Sequence, residues 1–189
     1  MATKPGERKT QILQTLAGML EQPQGEKITT AALAAKVGVS EAALYRHFAS
    51  KAQMFEALIE FIEESVFSLV SQITQSERDG RAQVQQMVSM LLNFAEKNPG
   101  MVKVLIGDAL VHEDARLQTR INQLLDRIES SLKQALQLVA TAPGSPVAPS
   151  AHANALCAFV IGRWELFAKS GFKRAPSEHW AEQMVLFRL

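Results

Sequence analysis

The sequence predicts an all-α fold, and three observations carry that expectation. Apolar residues recur at i, i+3, i+4 and i+7 through nearly every segment, whereas no run alternates with the period of two that a half-buried strand needs. The stretches between periodic segments are marked by proline and glycine. Counted this way, the chain holds about nine helices. At 189 residues, with 47% apolar and 21% charged residues, it is long enough for a buried core beyond a minimal module. The expected organisation is a three-helix helix-turn-helix head over residues 1–50 and a larger helical dimerisation body over 51–189.

The first predicted helix spans Glu7 to Glu21, with Ile12, Leu13, Leu16, Ala17, Met19 and Leu20 at helical spacing, and stops at Gln22-Pro23-Gln24-Gly25. A second, short helix begins after Thr29 or Thr30, either of which can act as N-cap, and carries Leu33, Ala34 and Val37 inward. Gly38 stands where the chain must turn sharply, a place suited to positive φ. Ser40 then caps a third helix. Its Ala43 or Leu44 and Phe48 point inward, leaving Ser40, Glu41, Ala42, Tyr45, Arg46 and His47 largely outside. Two short helices joined in this way form a helix-turn-helix, whose second helix suits a DNA major groove.

Ser50-Lys51-Ala52-Gln53 reads as a capping box that opens a long helix through Met54, Leu58, Phe61, Ile62, Val66, Leu69, Val70 and Ile73. Ser76 to Gly80 interrupts it, and Arg81 to Lys97 resumes the period with Val84, Met87, Val88, Leu91, Leu92 and Phe94 until the stop at Asn98-Pro99-Gly100. Met101 to His112 is predicted as a short apolar helix, and Glu113 to Val139 as a long amphipathic one. Ala140 to Ser150, with Pro143, Gly144, Pro146 and Pro149, is a predicted surface loop. Ala151 to Ser170 is an apolar helix closed by Gly171, and a last helix starts near Ser177 with Trp180, Met184, Val185 and Phe187.

Near the start of a helix in the major groove, short polar and methyl-bearing side chains reach base edges. Ser40 can read either partner, Glu41 can accept from cytosine N4, and the Ala42 methyl can touch thymine. Tyr45, Arg46 and His47, and Thr29, Thr30 and Lys51 at helix starts, are placed for phosphates. A formal net charge of only +1 means that such binding rests on placed contacts and on dimerisation rather than on bulk attraction.

Other chemistries find little support. The four histidines are scattered, and only Asp108 and His112 share an i, i+4 spacing, a weak metal signal. No glycine-rich phosphate loop, nucleophile elbow or paired-carboxylate motif occurs, so neither catalytic residues, a metal nor a cofactor is expected. Cys157, the single cysteine, reads as a small buried hydrophobe and fits a reducing cytoplasm. No apolar run spans a bilayer, and the polar first residues lack a signal-peptide core. Trp164, Phe167 and Trp180 belong either to the monomer core or to a dimer patch, and the seven methionines fill cores or line a ligand pocket.

Thr29-Thr30-Ala31-Ala32-Leu33-Ala34, Val37-Gly38-Val39-Ser40 and Leu44-Tyr45-Arg46-His47-Phe48 with Ser50-Lys51 resemble the tetracycline-repressor family of bacterial regulators. Stretches of the body, among them Leu58 to Glu63, Asn98 to Gly100, Arg116 to Gln118 and Arg120 to Leu124, resemble a division-inhibiting branch of that family. The resemblance implies a homodimer built from the last two helices, bound to short palindromic sites on double-stranded DNA in the cytoplasm, on the nucleoid. It further implies antagonism of the tubulin-like division protein FtsZ, through a surface around Phe61, Met90, Asn93, Lys97 and Asn98. Leu69 and Lys97 stand where the resemblance leads one to expect arginine. A conventional ligand-controlled repressor of the same architecture is the alternative it leaves, with a small-molecule pocket in the body.

Overall fold

A computed structural model describes residues 5–22, 28–140 and 147–187, and every regular element among them is helical. In chain order these are α1 (Pro5–Leu20), α2 (Thr30–Val37), α3 (Glu41–Tyr45), α4 (Lys51–Ser76), α5 (Gly80–Lys97), α6 (Pro99–Leu105), α7 (Ala115–Ala140), α8 (Pro149–Lys169) and α9 (Trp180–Gln183). Short 3-10 turns follow α6 at Asp108–Leu110 and α9 at Met184–Phe187. The breaker residues Pro23 to Gly25, and Pro143, Gly144 and Pro146 of the expected loop, lie outside the described residues.

Three expected boundaries shift, each for a local reason. α5 ends at Lys97 as expected, but α6 and α8 begin ahead of Met101 and Ala151, at Pro99 and Pro149. The two prolines occupy the first turn of α6 and of α8, where the missing N–H is not needed. The helix expected to reach His112 ends at Leu105, because Gly107 turns left-handed (φ 85°) and Asp108 opens a 3-10 turn. Asp108 and His112 therefore do not share a helix face. The last helix is a single turn that starts at Trp180 rather than Ser177, since His179 before it is itself left-handed (φ 63°).

The body core forms where α5 lies against α7 and α8. Val84, Met87, Val88, Leu91 and Leu92 of α5 meet Leu117, Ile121, Leu124, Leu132 and Leu136 of α7, and Leu156, Val160 and Trp164 of α8, all at most 1% exposed. Trp164 is part of this core and not of a surface patch: its Nε1 donates to the Leu91 carbonyl at 3.2 Å. Trp180 is buried as well and donates to Ser89 Oγ at 2.9 Å, and Phe167 is 4% exposed. The buried Arg163 closes the same end of the molecule by donating to the carbonyls of Ala175, Pro176 and Glu178 at 2.7–2.9 Å. Its charge is met by peptide dipoles that pin the turn ahead of α9.

The first three helices sit on this body through α1, which packs on α6 and α4. Contact with α6 is backbone to backbone: a Cβ on Gly100 would lie 1.9 Å from the Ala17 carbonyl oxygen. Gly18 faces open space, with nothing within 4 Å of its notional Cβ. We therefore expect Gly100→Ala to lower unfolding stability by about 1–3 kcal/mol through overpacking. Gly18→Ala should raise it by up to about 1 kcal/mol through helix propensity. Thermal or urea unfolding of the two variants reads both signs.

Candidate nucleic-acid interface

The caps that frame the helix-turn-helix are formed as their residue types dictate. Thr29, not Thr30, is the N-cap of α2, its hydroxyl accepting from Ala32 N at 3.1 Å. Gly38 ends α2 at φ 79°, and Gly38 N and Val39 N return to the carbonyls of Ala35 and Ala34. Ser40 caps α3 by accepting from Ala43 N at 3.2 Å. Leu33, Ala34, Val37, Leu44 and Phe48 are buried beneath, with Ile12 and Leu16 of α1 in the same core. Of the two inward positions considered for α3, Leu44 is fully buried and Ala43 only partly. The outer face presents Ser40, Glu41, Ala42, Tyr45 and Arg46 as exposed residues, with His47 half-buried beside them.

Three of the expected DNA-contacting side chains are already joined to one another, and a fourth is paired with the body. Glu41 Oε2 accepts from Thr30 Oγ1 at 2.9 Å, and Tyr45 Oη donates to the same Thr30 oxygen at 3.4 Å. The three side chains thus form one chain across α2 and α3, which holds the Tyr45 hydroxyl to α2. Glu41, expected from the sequence as a base reader, holds that arrangement. Lys51, the first residue of α4, is ion-paired with Glu113 of the turn ahead of α7. Nothing in the residue spacing signalled that partner, because the two lie 62 positions apart. Ser50 caps α4 through Gln53 N at 3.2 Å, and Gln53 Oε1 reaches back to Ala49 N rather than to Ser50 N, a capping box shifted by one residue.

A second surface lies on the antiparallel hairpin of α4 and α5. The two helices are joined by residues 77–79 and pack on each other, and Phe61 lies near the start of α6 through Met101. Phe61 is 43% and Leu69 38% exposed. Met90, Asn93 and Lys97 follow one another on one face of α5, Met90 half-buried and the other two exposed. Asn98 is less available than its neighbours, because its Nδ2 donates to Phe94 O at 2.8 Å while its backbone joins α5 to α6. Asn93 Nδ2 likewise donates to its own helix, at Ser89 O. Phe61 also borders a small apolar cleft of about 30 Å³ lined by Thr10, Leu13, Gln14, Leu58 and Met101, where α1, α4 and α6 meet.

Among the described residues, no group of three or more histidine, cysteine, aspartate or glutamate side chains is placed to hold a metal ion. No helix among them is long and apolar enough to cross a membrane. Cys157 is buried on α8, and burial, with the negative charges of Glu129 and Asp126, pushes its thiol from 9.0 up to about 11.

Residues 25–58 match the model of the bacterial regulatory proteins of the tetR family, and residues 78–188 match the SlmA-like tetracyclin repressor-like C-terminal domain. A nucleoid occlusion factor SlmA of a Marinomonas species is 51% identical over 98% of this chain and 95% of its own length. Another, of Alteromonas mediterranea, is 48% identical over 99% and 97%. In fold, the chain is similar to the TetR family transcriptional regulator PfmR from Thermus thermophilus. That likeness has a TM-score of 0.76 at 21% identity and covers 94% of this chain and 97% of the other.

Two outcomes are expected from this geometry. Thr30→Val, which removes the hydroxyl shared by Glu41 and Tyr45, should weaken binding to duplexes of any sequence several-fold while the melting temperature hardly moves; anisotropy titrations with mixed-sequence duplexes measure it. At pH 8 the Cys157 thiolate fraction should be roughly a hundredfold below that of an ordinary thiol. A chromogenic disulfide should therefore react slowly with the native chain, about ten times faster per pH unit up to about 11, and promptly in urea.

Proposed function

The chain belongs to the tetR family of bacterial regulatory proteins, in the branch with the SlmA-like C-terminal domain, and on that premise we propose that it is a nucleoid occlusion factor. It acts by binding and not by catalysis. In this reading residues 1–50 form a DNA-binding unit that docks α3 in the major groove, and residues 51–189 form the body that pairs with a second copy and carries the partner surface. Ser40, Glu41 and Ala42 face base edges, and Thr29, Thr30, Tyr45, Arg46, His47 and Lys51 face phosphates. A two-fold dimer doubles these contacts on a palindromic site, which compensates for the weak overall charge.

The dimer forms through the outer face of α8. Ala151, Ala155, Ala158 and Leu166 lie there exposed at helical spacing, and Leu138 of α7 is 50% exposed. Because α9 is a single turn, the expected pairing of the last two helices falls mainly to the long α8. With the dimer on nucleoid DNA in the cytoplasm, the α4 and α5 face around Phe61, Met90, Asn93, Lys97 and Asn98 engages FtsZ and opposes its ring assembly over the nucleoid. The observation that carries this reading is the agreement of relatives about half identical over nearly the whole chain, both named nucleoid occlusion factors.

Co-sedimentation with FtsZ polymers, with and without duplex DNA, tests the proposal. The wild-type chain should pellet with FtsZ, and more so when DNA is present. Lys97→Glu should keep the dimer mass in light scattering and the duplex affinity, yet lose at least several-fold in FtsZ association. Undiminished pelleting of that variant would remove the α4 and α5 face from the assignment.

A further inference from the structure

Three ion pairs join α4 to the chain that opens α7. Arg116 Nε meets Glu56 Oε1 at 2.9 Å. Arg120 forks onto Glu63 at 2.7 and 3.4 Å and also donates to the Glu56 carbonyl at 3.3 Å. Both pairs lie along the helix contact, inside the body. The third, Lys51 with Glu113, differs in position: Lys51 follows the N-cap Ser50, five residues after Arg46, and so stands where the DNA-binding unit meets the body.

Its environment favours the pair. The two side chains are 23% and 14% exposed, so the attraction is screened less than at an open surface. The ammonium also lies 5.7 Å from the centroid of the Phe55 ring, and Glu113 N donates to Leu110 O, which fixes the turn that carries the carboxylate. An ammonium is a compact charge that a carboxylate oxygen and a phosphate oxygen satisfy equally well. A phosphate arriving at Lys51 either displaces Glu113 or sits beside its negative charge. Both outcomes make Glu113 an opponent of duplex binding.

We infer that Glu113 competes with the DNA backbone for Lys51, so that duplex binding and the docking of the 106–114 turn on α4 oppose each other. This rests on the reading of Lys51 as a phosphate contact. Coupling between two equilibria is reciprocal: whatever affinity Glu113 withholds from DNA, bound DNA withholds from the turn. Glu113 is then a positioning residue that sets duplex affinity without touching the duplex. The turn it anchors leads directly into α7, so the state of the DNA site reaches the body through it.

The test is a double-mutant cycle on the full-length chain, using a mixed-sequence duplex because phosphate contacts act on all sequences alike. Anisotropy titrations across a salt series compare wild type, Glu113→Gln, Lys51→Gln and the double variant. Glu113→Gln should bind about fivefold tighter or more, with a salt slope steeper by about one counterion, and the gain should vanish in the Lys51→Gln background. A second measurement needs no substitution at Glu113: amide exchange over residues 106–114 of the wild type should quicken when duplex is added. A folded Glu113→Gln chain with unchanged or weaker affinity, a gain that survives without Lys51, or exchange that DNA leaves unaltered would each overturn the competition while leaving DNA binding intact. Failure of the wild type to bind any duplex at low salt would overturn the DNA-binding reading itself, and the competition with it.

Discussion

The direction in which the helix-turn-helix faces is set where α1 packs on α6 and α4, and the contact with α6 is backbone to backbone. Gly100, in the first turn of α6, lies directly against the Ala17 carbonyl of α1, so close that an added Cβ would stand 1.9 Å from the oxygen. Interiors packed at crystal-like density do not absorb such a displacement, because moving α6 would disturb Val102, Val104 and Leu105, all at most 1% exposed. Since α1 carries Ile12 and Leu16 into the core shared with Leu33 and Leu44, fixing α1 fixes α2 and α3 with it. The glycine is part of Asn98-Pro99-Gly100, where Asn98 closes α5 and Pro99 supplies the pre-set φ for α6. Three residues thus set both the bend between two body helices and the seat of the DNA-facing unit.

Most of this fold was legible from residue types. Caps are local chemistry: a threonine, a serine and a glycine at positions 29, 40 and 38 specify where α2 ends and α3 begins, and all three behave accordingly. The long amphipathic stripes of α4, α5 and α7 leave little freedom about which face is inward. The stop of α5 ahead of Pro99 was read correctly, but the starts of α6 and α8 were placed after Pro99 and Pro149, because the same ring that ends one helix fits the first turn of the next. The shortness of α9 also escaped, since a non-glycine residue in the left-handed region, His179, carries no sequence signature.

The candidate sites were less legible for a different reason. The spacing of Ser40 to His47 told which side chains face outward, but not which of them already have partners. Glu41 and Thr30 are 11 positions apart, Lys51 and Glu113 62, and Arg120 and Glu63 57. Such pairs are made by tertiary packing, and charge patterning along one helix is blind to them. They alter the chemistry assigned to the face: Glu41 is both a candidate base reader and the holder of Thr30 and, through it, of Tyr45.

The same reasoning gives α4 its role. It has 26 residues and is therefore about 39 Å long. Lys51 stands at one end, at the DNA-binding unit, while Phe61 and Leu69 are exposed in its middle and second half. The opposite side is held to α7 by Glu56 and Glu63 through Arg116 and Arg120. Exposed ion pairs contribute little on their own, but the Arg120 fork is partly buried and reaches a backbone carbonyl as well, so it resists sliding of one helix along the other. The clamp lies in the first half of α4, between Lys51 and the exposed Leu69. On the proposed reading of Lys51 as a phosphate contact, a change there bears on α4 and on the turn paired to it.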